Sequence, residues 1–157
     1  MLASGVANNG TLMQNRFALK INDTVIGTKI CEKLTEPAYA ALLKQYMIEQ
    51  SAPKVPILNL AVAGKTGTPE RIWKGQSIDD GWYVFFAPNP QSSGYTVTCI
   101  RIEQTKGSAD AVHMAGRDII PILLKMGYIK SIAPVKTVES DQTDQAAPPE
   151  PADTTGN

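Results

Sequence analysis

Three extended segments follow one another between residues 58 and 103, and they limit the fold more tightly than anything else in the chain. Residues 58–68 are apolar and rich in β-branched side chains up to Pro69. Residues 81–87 read Gly-Trp-Tyr-Val-Phe-Phe-Ala and stop at Pro88 and Pro90. In residues 95–103, Tyr95, Val97, Cys99 and Arg101 alternate with Thr96, Thr98, Ile100 and Ile102. Such runs bounded by Pro and Gly read as strands. Their short links predict an antiparallel meander, because parallel strands need long crossover connections.

Helical patterns flank these strands. Thr35 is a good N-cap and Pro37 falls in the first turn of a segment where Ala38, Leu42, Leu43, Tyr46 and Met47 recur at helical spacing up to Gln50. After the strands, Ser108 or Asp110 can cap a helix over 111–126 that ends at Gly127 and should be kinked by Pro121. The opening residues resemble the end of an amphipathic helix stopped by Asn8, Asn9 and Gly10, as if the chain began in mid-element. Residues 16–21 and 24–27 read as short extended pieces around an Asn22-Asp23 turn. This order predicts the α+β class, an antiparallel sheet with helices packed on its faces.

Charge separates the chain into two parts. The formal total of zero hides 14 basic against 10 acidic residues up to Lys130, and one Lys against five acidic residues after it. Residues 131–157 hold no aromatic residue and four of the eleven prolines. With so little apolar surface to offset the entropy of ordering, they are expected to form a disordered acidic tail. Residues 1–130 are expected to form the folded part. Its basic residues are widely spaced and form no aromatic-interleaved cluster, so nucleic acid is not expected as a partner. No apolar run reaches the roughly 18–20 residues of a membrane span, and no signal-peptide order is present. Cys31 and Cys99 belong to no metal-spaced pair, so neither a metal nor a cofactor is expected, and Cys99 is read as a buried free thiol.

The chemistry concentrates at Lys65-Thr66-Gly67-Thr68. On a strand, the period of two sends Thr66 and Thr68 to one side and Lys65 with Gly67 to the other. Two hydroxyls on one side can donate to a carboxylate, the ammonium supplies positive potential, and Gly67 lets a ligand backbone approach the strand. A K-T-G tripeptide arises by chance in about one chain in fifteen of this composition, so its surroundings must decide its meaning.

Those surroundings are 61–70, Ala-Val-Ala-Gly-Lys-Thr-Gly-Thr-Pro-Glu; then 80–88, Asp-Gly-Trp-Tyr-Val-Phe-Phe-Ala-Pro; then Gly107-Ser108 opening a helix. Earlier come Ala7-Asn8-Asn9-Gly10-Thr11-Leu12-Met13 and the helix over 35–47. Up to about residue 130 the chain resembles the C-terminal portion of a penicillin-binding transpeptidase domain. The resemblance implies a β-lactamase/transpeptidase-like fold and a D,D-transpeptidase that cross-links peptidoglycan through an acylated serine. It implies the D-Ala-D-Ala end of a stem peptide and β-lactams as partners, and a location on the outer face of the cytoplasmic membrane. Lys65 would orient and charge the site as its catalytic lysine. Thr66, Gly67 and Thr68 would bind substrate, the last with an oxyanion-hole amide.

Two further elements of that family are missing. No S-x-N or Y-x-N occurs, and the single S-x-x-K, Ser51 to Lys54, contains Pro53 and stands only fourteen positions before Lys65. Ser51 is therefore not expected to be the nucleophile. The serine should lie upstream, in the missing N-terminal part of the same domain, and the chain expressed alone should be marginally stable or aggregate. A non-catalytic binding module of the same fold, a β-lactamase and a D,D-carboxypeptidase stay open. A nucleotide-binding loop at Gly64-Lys65-Thr66 is a remote alternative, since Asn59 stands where its first glycine belongs and Thr66 is followed by Gly67, Thr68 and Pro69 where a helix would open. His113 is read as a surface side chain, Glu70, Asp79 and Asp80 as substrate contacts or a solvated loop, and Trp82 as core or site-lining.

Overall fold

The computed structural model describes residues 2–15, 17–51 and 60–132. The expected tail from 133 onward and Lys54 of the S-x-x-K lie outside the described residues. In chain order the elements are α1 (Leu2–Ala7), β1 (Thr11–Met13), β2 (Lys20–Ile21), β3 (Thr24–Val25), β4 (Ile30–Lys33), α2 (Pro37–Ser51), β5 (Ala63–Gly67), β6 (Glu70–Trp73), β7 (Gln76–Pro88), β8 (Tyr95–Thr105), α3 (Ala109–Met114), a π-helical turn (Ala115–Ile119) and α4 (Ile120–Lys125).

The long strand β7 organises the sheet. Its Asp79–Pro88 stretch pairs antiparallel with β8, and it also pairs antiparallel with β5 and β6. Gly67 faces Trp82, Glu70 faces Asp79 and Trp73 faces Gln76, so β5 and β6 share one unbroken register. The Asp80 N–H donates to the Pro69 carbonyl at 3.0 Å within the gap between them. They are one strand interrupted at Thr68-Pro69, where proline supplies a carbonyl but no N–H to the ladder. The strand then reverses through Lys74-Gly75. Both have positive φ, 50° and 77°, as the central residues of a type I′ hairpin turn require.

This continuity corrects the reading of Glu70, Asp79 and Asp80 as a solvated loop, since all three are strand residues. Pro69 looked like a terminator, and Lys-Gly lacks the Asn or Asp that usually marks such a turn. Of the strand expected over 58–68 only Ala63–Gly67 is strand, with residues 58–59 outside the described residues; the antiparallel order with the strands expected over 81–87 and 95–103 appears as expected, β7 and β8 being longer.

Alternation along β7 divides the core. Tyr83, Phe85 and Ala87 join Ile100 of β8 under Ala111, Val112, Ala115 and Ile120 of the C-terminal helices. Phe86 and Ala63 join Ala7 of α1 and Ile48 of α2. Helical elements therefore pack on both faces of the sheet, the arrangement expected of the α+β class. Phe85 and Phe86 are fully buried, each contributing about 1.5–3 kcal/mol of apolar transfer energy.

The last helix takes a form that its sequence only partly announces. Pro121 has no N–H, and its ring excludes the carbonyl four residues earlier. The preceding turn widens to π spacing, with Ile120 N–H bonded to the Ala115 carbonyl. The helix ends in a Schellman motif: Tyr128 N–H reaches Leu123 O at 2.9 Å, Gly127 N–H reaches Leu124 O at 3.0 Å, and Gly127 has φ 69°. Ser108 stands at the N-cap position but its side chain makes no capping bond. Beyond the helix, Ile132 N–H bonds Ala61 O at 2.9 Å and Lys130 N–H bonds Pro88 O at 3.0 Å, so sheet-bound contacts continue to Ile132.

Two small ladders complete the chain. β1 pairs with β4, and β2 with β3 around Asn22, whose φ is 51°. At Gly10 a Cβ would lie 2.2 Å from the Thr35 carbonyl oxygen, so the start of α2 packs directly on that glycine. Cys31 and Cys99 are both free and exposed. For Cys99 this corrects the expectation of burial: it pairs with Val84 on a stretch of sheet that the described helices leave uncovered.

Candidate active site

Lys65, Thr66 and Gly67 lie on β5, and Thr68 follows at the interruption. Among the described residues β5 pairs with β7 alone. Since Pro69 directs its carbonyl to Asp80 of β7, alternation turns the backbone groups of Thr66 and Thr68 away from β7, to the unpaired edge. The edge thus offers N–H and C=O groups to an extended ligand.

The side chains differ in exposure along this segment. Lys65 is exposed, and its ammonium donates to the Thr66 carbonyl at 2.7 Å. Thr66 and Gly67 are half-buried and Thr68 is exposed. Thr68 Oγ1 accepts the Ser108 N–H at 3.1 Å. That bond uses an acceptor lone pair and leaves the hydroxyl proton free to be donated. The loop behind Ser108 is braced by Thr105, whose Oγ1 donates to Gly107 O at 2.6 Å and accepts from Gly107 N–H at 2.9 Å.

Four residues suited to carboxylate and carbonyl binding therefore share one strand end. Gly67 is not demanded by the fold, because a Cβ there would meet only Trp82 Cβ at an ordinary 3.6 Å. The opposite holds at Gly81, where a Cβ would lie 2.4 Å from the Gly107 carbonyl oxygen, and at Gly64, where it would overlap Ser51 Oγ and the Tyr83 hydroxyl.

Asp80, missed as a structural residue from sequence, is 2% exposed. It accepts from Arg101 at 2.7 Å, from Arg71 at 3.0 Å and from the Gln104 N–H at 3.1 Å. Glu103 completes the cluster at 3.2 Å from Arg101 and 3.5 Å from Arg71. The hydrogen bond from Arg101 is the largest influence holding Asp80 well below the usual carboxylate range, at about 2; the Gln104 amide and Arg71 act the same way, against the effect of burial. Gln104 sits in a β-bulge with φ 55°, and the Asp80 carboxylate takes up its amide. The only signal in the sequence was an acid beside an aromatic strand with arginines nine positions before it and twenty-one after.

Other candidates fall outside this edge. Ser51 is 1% exposed at the C-terminal end of α2, its Oγ 2.6 Å from the Tyr83 hydroxyl. Burial pushes the Tyr83 phenol above its ordinary value, opposed by that bond, so it stays protonated. Trp82 is 37% exposed, with the Arg101 guanidinium 5.6 Å from its ring centroid. His113 is exposed on α3. Gly64-Lys65-Thr66 lies inside a strand, not a phosphate-wrapping loop. Among the described residues there is no cluster of three or more potential metal ligands, and no helix long and apolar enough to cross a membrane.

Solved structures share this architecture. Penicillin-binding protein A from Mycobacterium tuberculosis, in its imipenem acyl-enzyme complex, matches 78% of this chain and 29% of its own at 24% identity and a TM-score of 0.62. The D,D-transpeptidase domain of a peptidoglycan glycosyltransferase from Eggerthella lenta matches 81% of this chain and 31% of its own, at 22% identity and a TM-score of 0.61. A putative peptidoglycan glycosyltransferase from Atopobium parvulum gives a TM-score of 0.65 at 17% identity, over 80% of this chain and 32% of its own. The chain thus spans about a third or less of the length of these structures. No curated protein matches it. The profile of the penicillin-binding protein transpeptidase domain matches residues 2–120, which is most of the sequence, and the chain belongs to that family.

Proposed function

We propose that this chain carries the K-T-G wall of a serine D,D-transpeptidase that cross-links peptidoglycan outside the cytoplasmic membrane. The observation that carries the reading is the edge of β5, unpaired among the described residues, with Lys65 exposed and the Thr68 hydroxyl exposed beside it, accepting the Ser108 N–H. A D-Ala-D-Ala stem would extend along this edge. Thr66 and Thr68 donate to its terminal carboxylate, Lys65 supplies positive potential, and the Thr68 amide stabilises the oxyanion as the carbonyl is attacked. A serine in an S-x-x-K outside these 157 residues forms the acyl-enzyme and expels D-Ala, and the amine of a neighbouring stem then takes the acyl group. β-Lactams would enter the same site, as imipenem and penicillin G do in the Mycobacterium tuberculosis protein. The burial of Ser51 and its bond to Tyr83 support a nucleophile other than Ser51.

Fluorescent-penicillin labelling of the full-length gene product tests the reading. Labelling is expected at a serine outside this chain, and Lys65→Ala should slow it about 100-fold, the scale of a lost electrostatic contact. Absence of labelling, or an adduct on Ser51, would overturn it.

A further inference from the structure

Ser51 belongs to the single S-x-x-K of the sequence, yet its place in the fold gives it another task. Its Oγ lies 2.6 Å from the Tyr83 hydroxyl, and both residues are at most 1% exposed. Ser51 is the last residue of α2, and Tyr83 sits on β7 directly opposite Thr66. Between them lies Gly64, whose missing side chain leaves the space that the two oxygens occupy.

We infer that the Ser51–Tyr83 hydroxyl pair, seated over Gly64, is a positioning device that fixes the start of the K-T-G strand and so sets the location of Lys65. Three elements meet at this point, the end of α2, the beginning of β5 and the middle of β7, one residue before the lysine. A hydrogen bond between two buried hydroxyls fixes both distance and direction, whereas apolar contacts would let α2 slide along the strand. Gly64 is then required by close approach and not by backbone conformation, which is why a small residue stands immediately before the lysine. An offset of about 1 Å at Lys65 is enough to slow a positioned reaction by roughly 100-fold. The inference rests on the proposed function for its catalytic consequence, but the geometric claim stands apart from turnover.

Ser51→Ala, Tyr83→Phe and the double variant are compared in the full-length gene product by two measurements. The first is amide hydrogen exchange across residues 63–67 and, as an internal reference, at Thr96 and Thr98 of β8, which pair with β7 and not with β5. The second is the rate of penicillin acylation per folded molecule, with the melting temperature followed in parallel. Each single variant should raise exchange at 63–67 with the reference unchanged, and slow acylation about tenfold. The double variant should be no slower than either single one, since the two hydroxyls act as one contact. Gly64→Ala, which displaces both oxygens while leaving them present, should reproduce the slowing. Exchange that rises equally at both sites, or a lowered melting temperature with an unchanged acylation rate, would make the pair merely structural and overturn the inference. A protein that fails to label in its unaltered form counts against the proposed function instead, and the exchange measurement still decides the geometry.

Discussion

The Pro69 carbonyl accepts the Asp80 amide at 3.0 Å, and through this bond β5 and β6 keep one register with β7 across the end of the K-T-G-T segment. Asp80 faces both ways: its backbone closes the gap beside Thr68, and its carboxylate gathers Arg71, Arg101 and the bulged Gln104. The strand interruption beside Thr68 is thus tied to a buried anion.

That arrangement gives a pH dependence with a defined sign. Asp80 is held at about 2, below its ordinary value of 3.8, so its ionised form stabilises the folded chain. The contribution is complete above about pH 4 and is lost as the pH falls through 2. The melting temperature should therefore decline across this window in the unaltered protein. Asp80→Asn should melt lower at neutral pH, because two guanidinium groups lose their anion, and should follow a flatter curve in acid. Parallel curves for the two proteins between about pH 4 and 2 would remove Asp80 from the account.

Glycines near the edge should separate stability from ligand binding. Gly67→Ala meets only an ordinary contact within the fold, so its melting temperature should stay within the small range of a surface substitution, about 0.5 kcal/mol. Under the proposed function its penicillin acylation in the full-length product should fall, because the new methyl would stand where a ligand backbone approaches the strand. Gly81→Ala drives a methyl into the Gly107 carbonyl and should destabilise by about 1–3 kcal/mol through overpacking. It should also loosen the Ser108 bond to Thr68. Thermal melts and labelling rates on the two variants check both halves, and equal stability loss at the two positions would contradict the contact geometry.

The sequence made part of this site legible and concealed the rest for physical reasons. Lys65 to Gly67 could be placed on a strand because an extended run closed by proline is a local signal, readable from consecutive residues. The β6 strand could not, since Pro69 carries the local signal of a stop, and only pairing with β7 shows that the ladder resumes. Asp80 was obscured in the same way: its three partners are Arg71 of β6, Arg101 of β8 and Gln104 in the β8 bulge, and their convergence depends on register. Cys99 was misjudged because alternation assigns a face without telling whether anything covers it.

Coverage is also what separates this chain from the larger domain that its relatives have. In α2, Ala40 and Ile48 are buried, yet Tyr39, Leu42, Leu43 and Tyr46 are 44–63% exposed, and Phe17, Leu19 and Ile30 stand in solvent nearby in sequence. A helix with large apolar side chains exposed beyond its buried stripe is one that a larger fold would cover. The 157-residue chain expressed alone should therefore self-associate and bind an apolar dye. Leu42→Ala and Leu43→Ala discriminate between an exposed and a covered helix. In the isolated chain each should change stability by no more than about 1 kcal/mol and reduce association. In the full-length product, where the rest of the domain would cover α2, each should cost about 2–5 kcal/mol as a core truncation. Equal costs in the two contexts, with a monodisperse isolated chain, would mean that α2 has no further partner.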